Sequence, residues 1–225
     1  MKTIIIIQAR MGSTRLPGKV LMKINGITLL ESLLEQINHC KSIDEKIVAT
    51  TTREEDDEIS TKCLNAGVEI FRGNPFDVLD RYYQCAQAYS GTNIVRLTAD
   101  NPFIDPNIID NVVTIFQENS FDYVNNCEIR TFPHGTEVEV FSFSALEKAW
   151  KNAKNPYDRE HVTPFLRNKK IFKTMCIKSK EDLSNFRWTV DTIEDLNFIR
   201  KLYQQCNTKP IVTENLLEII NQNKV

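Results

Sequence analysis

The 225 residues carry almost no surplus charge: 28 lysines and arginines stand against 30 aspartates and glutamates, a formal net charge of −2. A chain this balanced has no global field to recruit nucleic acid or an anionic membrane, so any anion-binding site must be local. A C-x-x-C pair is also missing. The six cysteines (Cys40, Cys63, Cys85, Cys127, Cys176 and Cys206) lie far apart, with no histidine at metal-ligand spacing, which favours buried free thiols over a zinc site. Long apolar runs are absent too. The run at residues 4–7 is broken by Gln8 and Arg10, too short for a signal-peptide core or a membrane span, and a cytoplasmic protein is expected. No repeat, low-complexity tract or linker divides the chain, and 41% hydrophobic content suffices for one sizeable core. A single domain over residues 1–225 is expected.

What is present is an alternation of strand-length apolar bursts with stretches of helical period. That pattern predicts an α/β fold with a mostly parallel sheet flanked by helices. Residues 2–7 read as the first strand. Thr28-x-x-Glu31, Thr52-x-x-Glu55 and Ser144-x-x-Glu147 have the spacing of capping boxes, and Asn74-Pro75 and Asp105-Pro106 that of an N-cap followed by a first-turn proline. Gly67 is placed to end a helix. Residues 158–166 read as a further helix and 171–177 as a strand. Strict alternation over residues 136–141 predicts a half-exposed strand with Glu137 and Glu139 on one face. Because the strands of residues 125–179 are not spaced as β-α units, a small β-rich excursion from the sheet is expected there.

Three constellations carry chemistry. The first is Gln8-Ala-Arg-Met-Gly-Ser-Thr-Arg-Leu-Pro-Gly-Lys19, directly after the first strand, where open α/β sheets present a crevice. It holds three cations, Arg10, Arg15 and Lys19, and no acid. Gly12 and Gly18 let backbone N–H groups turn toward a polyanion, which suits a triphosphate better than a merely solvated turn. Five residues separate Gly12 from Gly18 and Val20 follows Lys19, so this is not a Walker loop, and no G-x-G-x-x-G is present. The second is Arg96-Leu-Thr-Ala-Asp-Asn-Pro102, whose strand ends in Thr98 and Asp100; a carboxylate there can hold Mg²⁺ against phosphates. In the third, Arg187-Trp-Thr-Val-Asp191, Asp191 reads equally as a second metal carboxylate or as a helix N-cap. Arg72 is a candidate for a base or ribose contact. His134, Glu137, Glu139, Arg159 and His161 are candidates for an acceptor pocket, with Arg130 and Arg187 as further cations.

At these residues the sequence resembles the sugar-activating cytidylyltransferase superfamily, in particular its spore-coat-polysaccharide branch. The likeness spans nearly the whole chain. It rests on the loop of residues 8–19 and, in order, Val48-Ala-Thr-Thr-Thr52, Val78-Leu-Asp-Arg81, Leu97-Thr-Ala-Asp100, Val138-Glu-Val-Phe141, Arg159-Glu-His-Val-Thr-Pro164 and Thr189-Val-Asp191. The resemblance implies a Rossmann-like sheet, Mg²⁺, CTP as donor and a homodimer formed through the β-rich excursion. It further implies nucleotide binding by Gln8, Ala9, Arg10, Gly12, Ser13, Lys19, Thr51, Arg72, Thr98 and Asp100. Catalysis falls to Arg10, Arg15 and Lys19 and metal binding to Asp100 and Asp191, while His134, Glu137, Glu139, Arg159, His161 and Arg187 stay the acceptor-binding candidates read from the residues themselves. The loop departs from the Gly-Gly-Ser-Lys pattern of the sugar-acid enzymes, so the acceptor stays open between a sugar acid and a sugar phosphate. Two other readings remain at this point: a glycosyltransferase, although no Asp-x-Asp pair is present, and a non-catalytic nucleotide-binding protein.

Overall fold

Four consecutive isoleucines, Ile4, Ile5, Ile6 and Ile7, are completely buried, which requires both faces of their strand to be covered. In the computed structural model, which describes residues 1–223, they form β1 (Thr3–Gln8), an interior strand of a seven-stranded sheet. Ile5 and Ile7 point to one side and Ile4 and Ile6 to the other, as the period of two dictates. Each buried side chain of this size contributes about 1.5 to 3 kcal/mol of transfer free energy.

The other strands are β4 (Glu45–Thr51), β5 (Glu69–Gly73), β6 (Asn93–Thr98), β7 (Tyr123–Asn125), β8 (Glu139–Ser142) and β9 (Thr174–Cys176), while β2 (Lys23–Ile24) and β3 (Ile27–Thr28) form a small hairpin. The sheet order is β5-β4-β1-β6-β8-β7-β9. β5, β4, β1 and β6 are mutually parallel and β8 is the antiparallel member, between β6 and β7. The expected β-rich excursion therefore joins the main sheet: β7, β8 and β9 extend it beyond β6.

On the Ile5 and Ile7 side pack α1 (Leu29–Ile37), α2 (Asp57–Asn65) and α4 (Pro106–Glu118). On the Ile4 and Ile6 side pack α3 (Val78–Ala88) and α5 (Phe143–Asn152), with the short α6 (Pro156–His161) against α3. A third cluster joins the β2-β3 hairpin to Trp188, α7 (Ile193–Gln205) and α8 (Thr213–Asn223).

The caps at Thr28 and Asp105 and the left-handed Gly67 are found as the sequence predicts. Several starts differ. Asp77, not Asn74, caps α3; Asn74 Oδ1 instead accepts from Phe76 N and Asp77 N, forming a turn ahead of the helix. No side-chain cap forms at Thr52, where a short 3₁₀ turn (Glu54–Asp56) leads into α2. Ser142 rather than Ser144 caps α5. The helix expected over residues 158–166 is α6, capped by Asn155, followed by a 3₁₀ turn (Phe165–Arg167). β8 is not half-exposed, because Glu139 is as buried as Val138 and Val140. Among the described residues no helix is long and apolar enough to cross a membrane.

Since β1 lies between β4 and β6, the crossover through α1 leaves it on one face and the return through α3 crosses on the other. The loop after β1 therefore sits where the connections diverge, the usual ligand crevice of such sheets.

Candidate nucleotide and acceptor clefts

Residues 8–19 leave β1 and turn back on themselves, with Ser13 N and Gly18 N both donating to the Met11 carbonyl. Gly18 has φ +70, a left-handed conformation that costs glycine little. The loop is anchored by Asp56, buried at the start of α2. Its carboxylate accepts from Met11 N at 2.7 Å and from the Thr51 hydroxyl at the end of β4.

The turn delivers Lys19 inward, only 8% exposed. Its Nζ donates to Asp100 Oδ2 (2.6 Å), the Val190 carbonyl (2.8 Å) and Asp191 Oδ1 (2.9 Å). Asp191 also pairs with Arg15 (2.7 Å) and Arg187 (2.6 Å). Burial opposes its charge, but the hydrogen bonds and charges of Lys19, Arg187 and Arg15 hold its carboxyl below the ordinary aspartate value. The N-cap reading of Asp191 is excluded: Thr192 caps α7 in a box with Asp195, and the Asp191 carboxylate lines the cleft instead.

Gln8, Arg10, Ser13, Arg15, Lys19, Thr98, Asp100 and Asp191 line one cleft of about 340 Å³. Arg10 forms no hydrogen bond or ion pair with the described residues, so its charge is available to a ligand. Gly12 and Thr51, with Arg10 again, line an adjoining hollow of about 270 Å³. Ala9 lines neither space, its side chain being buried and its N–H donating to the Ala49 carbonyl. Arg72 stands outside both spaces. It is folded onto its own chain, donating to the Thr51 and Arg53 carbonyls and pairing with Asp57, because the β4-β5 register sets it beside these acceptors.

His134, Glu137, Glu139 and Arg187 line a second cleft of about 360 Å³, together with Arg96, Arg130 and Arg167. His161 lines the first cleft instead. Arg159 lines neither: it donates to Asp77 and to the Trp150 carbonyl, pinning α6 to the start of α3. The two acids differ. Glu137 accepts from Arg130 (2.6 Å) and Gly135 N (2.8 Å) at the cleft wall. Glu139 lies beneath it, accepting from Arg96 (2.5 Å), the Tyr123 hydroxyl (2.5 Å) and Arg167 (3.2 Å). Burial opposes its charge, yet Arg96, Tyr123 and Arg167 keep it ionised below the usual glutamate value, which makes it a weak base. His134 is shifted down from 6.5 by burial and by the charge of Arg130, against the weaker pull of Glu137, and is a neutral imidazole at neutral pH.

Three buried or half-buried polar residues escaped the sequence reading. Asp56 sits in an acidic run that offers no sign of which carboxylate turns inward. Arg96 shares a strand face with Thr98, a signal legible from alternation alone. Arg81 lies within the apolar stripe of α3, fully buried, with no hydrogen-bond partner for any guanidinium nitrogen among the described residues.

Comparison with known proteins matches residues 4–225 to a family model described as cytidylyltransferase. An uncharacterised protein of Methanocaldococcus jannaschii is 43% identical over 226 residues, covering 99% of this chain and 92% of its own length. The spore coat polysaccharide biosynthesis protein SpsF of Bacillus subtilis is 34% identical, covering 97% and 93%. A solved cytidylyltransferase structure from Leptospira borgpetersenii superposes with a TM-score of 0.96 at 37% identity, covering 100% of this chain and 95% of that one. With a cationic loop after β1, two carboxylates on its lysine and a family match along almost its whole length, the chain belongs to the sugar-activating cytidylyltransferases and is a CTP-dependent nucleotidyltransferase.

Proposed function

We propose that the protein transfers CMP from CTP to a sugar acid or sugar phosphate, releasing pyrophosphate and yielding an activated sugar for surface polysaccharide. The observation that carries this reading is the meeting of two clefts along Thr98, Asp100 and Asp191, one beside a cationic loop and the other walled by arginines. The printed name of the Bacillus subtilis relative supports the polysaccharide destination.

In the transfer, the acceptor oxygen bonds to the α-phosphorus as the bond from that phosphorus to the bridging oxygen breaks, and the electron pair departs on pyrophosphate. Arg10 and Arg15 bind the departing phosphates, Lys19 adds its charge from its place between Asp100 and Asp191, and together they stabilise the charge that builds, a preorganised effect worth about 3 to 4 kcal/mol per well-placed donor. Asp100 and Asp191 suit Mg²⁺, which takes one or two carboxylates and fills its shell with phosphate and water. Among the described residues no group of three or more His, Cys, Asp or Glu forms a self-sufficient metal site, so the nucleotide's own oxygens would complete this one. Mg²⁺ bound there would neutralise phosphate charge. Pairing of two copies is part of the same reading, with β9, the edge strand at the end of the sheet opposite β5, as the surface to test.

A phosphate acceptor is already ionised and needs no base, whereas a hydroxyl acceptor must lose its proton. Neutral His134 in the acceptor cleft can take that proton and return it to solvent. Because its pKa lies below 6.5, the base form survives into mildly acid solution, so the acid limb of kcat with a hydroxyl acceptor is expected below pH 6.5 and is expected to vanish in His134→Asn. A limb at or above that pH, or one unchanged in the variant, removes His134 from the role.

The function itself is tested by incubating the protein with each nucleoside triphosphate, Mg²⁺ and a panel of sugar acids and sugar phosphates. Pyrophosphate release that requires both CTP and one acceptor class is the expected result. Release without any acceptor, or none with either class, sinks the proposal.

A further inference from the structure

Four side chains line both clefts: Arg96, Thr98, Asp100 and Asp191. If the donor occupies one cleft and the acceptor the other, as proposed above, the atom shared by the breaking and forming bonds must lie along these four. Two are carboxylates, proposed above for Mg²⁺ and without a proton to donate to a phosphoryl oxygen. Thr98 has already committed its hydroxyl to Asp100 Oδ1 at 2.6 Å. Arg96 remains as the one cation on the shared wall.

Its environment is built to aim it. Arg96 lies on β6 directly opposite Glu139 of antiparallel β8, so backbone register alone brings guanidinium and carboxylate together. Nη1 donates to Glu139 Oε2, while the other carboxylate oxygen is fixed by Tyr123 and Arg167. The guanidinium also lies 5.9 Å from the centre of the Tyr82 ring, with Nε buried and unpartnered. Its side chain keeps 17% of its surface open. A cation anchored through one nitrogen on a buried carboxylate, with part of its side chain still open to both clefts, is preorganised for a second anion.

We infer that Arg96 is a catalytic residue that holds the transferred α-phosphoryl group where the two clefts meet, with Glu139 as its positioning residue. The assignment rests on the proposed function, and its test separates the two. CMP carries the α-phosphoryl group alone, pyrophosphate carries only the part held by the loop, and cytidine carries neither. Titration calorimetry of the full chain with each should show Arg96→Gln weakening CMP by about ten- to a hundredfold, the range for a hydrogen bond to a charged group. Pyrophosphate and cytidine should stay within about twofold.

Removing one member of a buried ion pair endangers folding, so the double variant Arg96→Gln/Glu139→Gln, which leaves no unpaired carboxylate, is measured alongside and should show the same selective loss. Glu139→Gln alone, keeping the cation but weakening its anchor, should lose part of the CMP affinity and none of the pyrophosphate affinity. If CMP binds the Arg96 variants as tightly as the parent, or if CMP and pyrophosphate weaken together, the assignment to the α-phosphoryl is wrong. A parent protein that binds neither CTP nor CMP overturns the proposed function and this inference with it, whereas binding by the parent with no selective loss overturns the inference alone.

Discussion

Lys19→Ala lowers turnover with CTP by roughly two to three powers of ten, the expected cost of deleting one preorganised cation at a developing phosphate charge. The structure adds a second penalty. Lys19 is nearly buried and its ammonium contacts both Asp100 and Asp191, so alanine leaves two carboxylates facing each other with only Arg15 and Arg187 at their rim. That surplus negative charge repels the incoming triphosphate, and CTP affinity falls with kcat. Lys19→Arg tests the geometry, since its wider planar head cannot occupy the space of a compact ammonium among three acceptors. Steady-state pyrophosphate release at saturating CTP and at subsaturating CTP separates the two effects. A Lys19→Ala enzyme that keeps a third or more of its turnover would remove the lysine from the reaction.

The second large effect concerns stability rather than turnover. Gly135 has φ +100, and a Cβ there would stand 2.7 Å from both Trp188 C and Thr189 N. These are backbone atoms that cannot swing aside, held in place by His134 N donating to the Phe186 carbonyl and Trp188 N donating to the His134 carbonyl. Gly135→Ala therefore combines a strained backbone, about 1 to 3 kcal/mol, with an overpacked contact of about 1 to 3 kcal/mol. Gly26 is the control: its φ is +94 but nothing lies within 4 Å of its missing Cβ, so alanine there meets the backbone cost alone. Urea unfolding of both variants decides the matter, and equal midpoints would refute the close approach. The displaced segment also carries Val190, whose N–H donates to the Asp100 carbonyl, and Asp191, so Gly135→Ala should weaken nucleotide binding as well.

Much of the donor side was legible because it depends on contiguous residues. A run of isoleucines needs two covered faces, and the segment after it must emerge at the sheet edge with its three cations. The Thr28 and Asp105 caps were equally readable, since their hydrogen bonds close within three residues. Starts at Asp77 and Ser142 were missed where several polar residues compete for the cap, and packing of α3 and α5 against the sheet selects among them.

The acceptor side is a different case. Alternation at residues 136–141 paired Glu137 with Glu139 on one face, yet one lines the cleft wall and the other lies under three donors from β6, β7 and the turn at Arg167. Nothing local to Glu139 announces this. Arg72 and Arg159, plausible ligand cations in one dimension, are consumed by Asp57 and Asp77, which are distant or indifferent in the sequence pattern.

The sequence by itself determined the α/β sheet and the cationic loop after the first strand, because periodicity, caps and a contiguous motif act over a few residues. Only the tertiary structure decided that Lys19 meets Asp100 and Asp191, that Thr192 rather than Asp191 caps the last long helix before α8, and that Arg96 stands on Glu139 between two clefts. The physical reason is that charge is settled by three-dimensional neighbours: whether an arginine is free for a ligand depends on which carboxylate the sheet register places beside it, and that partner is 43 residues away for Arg96 and 172 for Lys19.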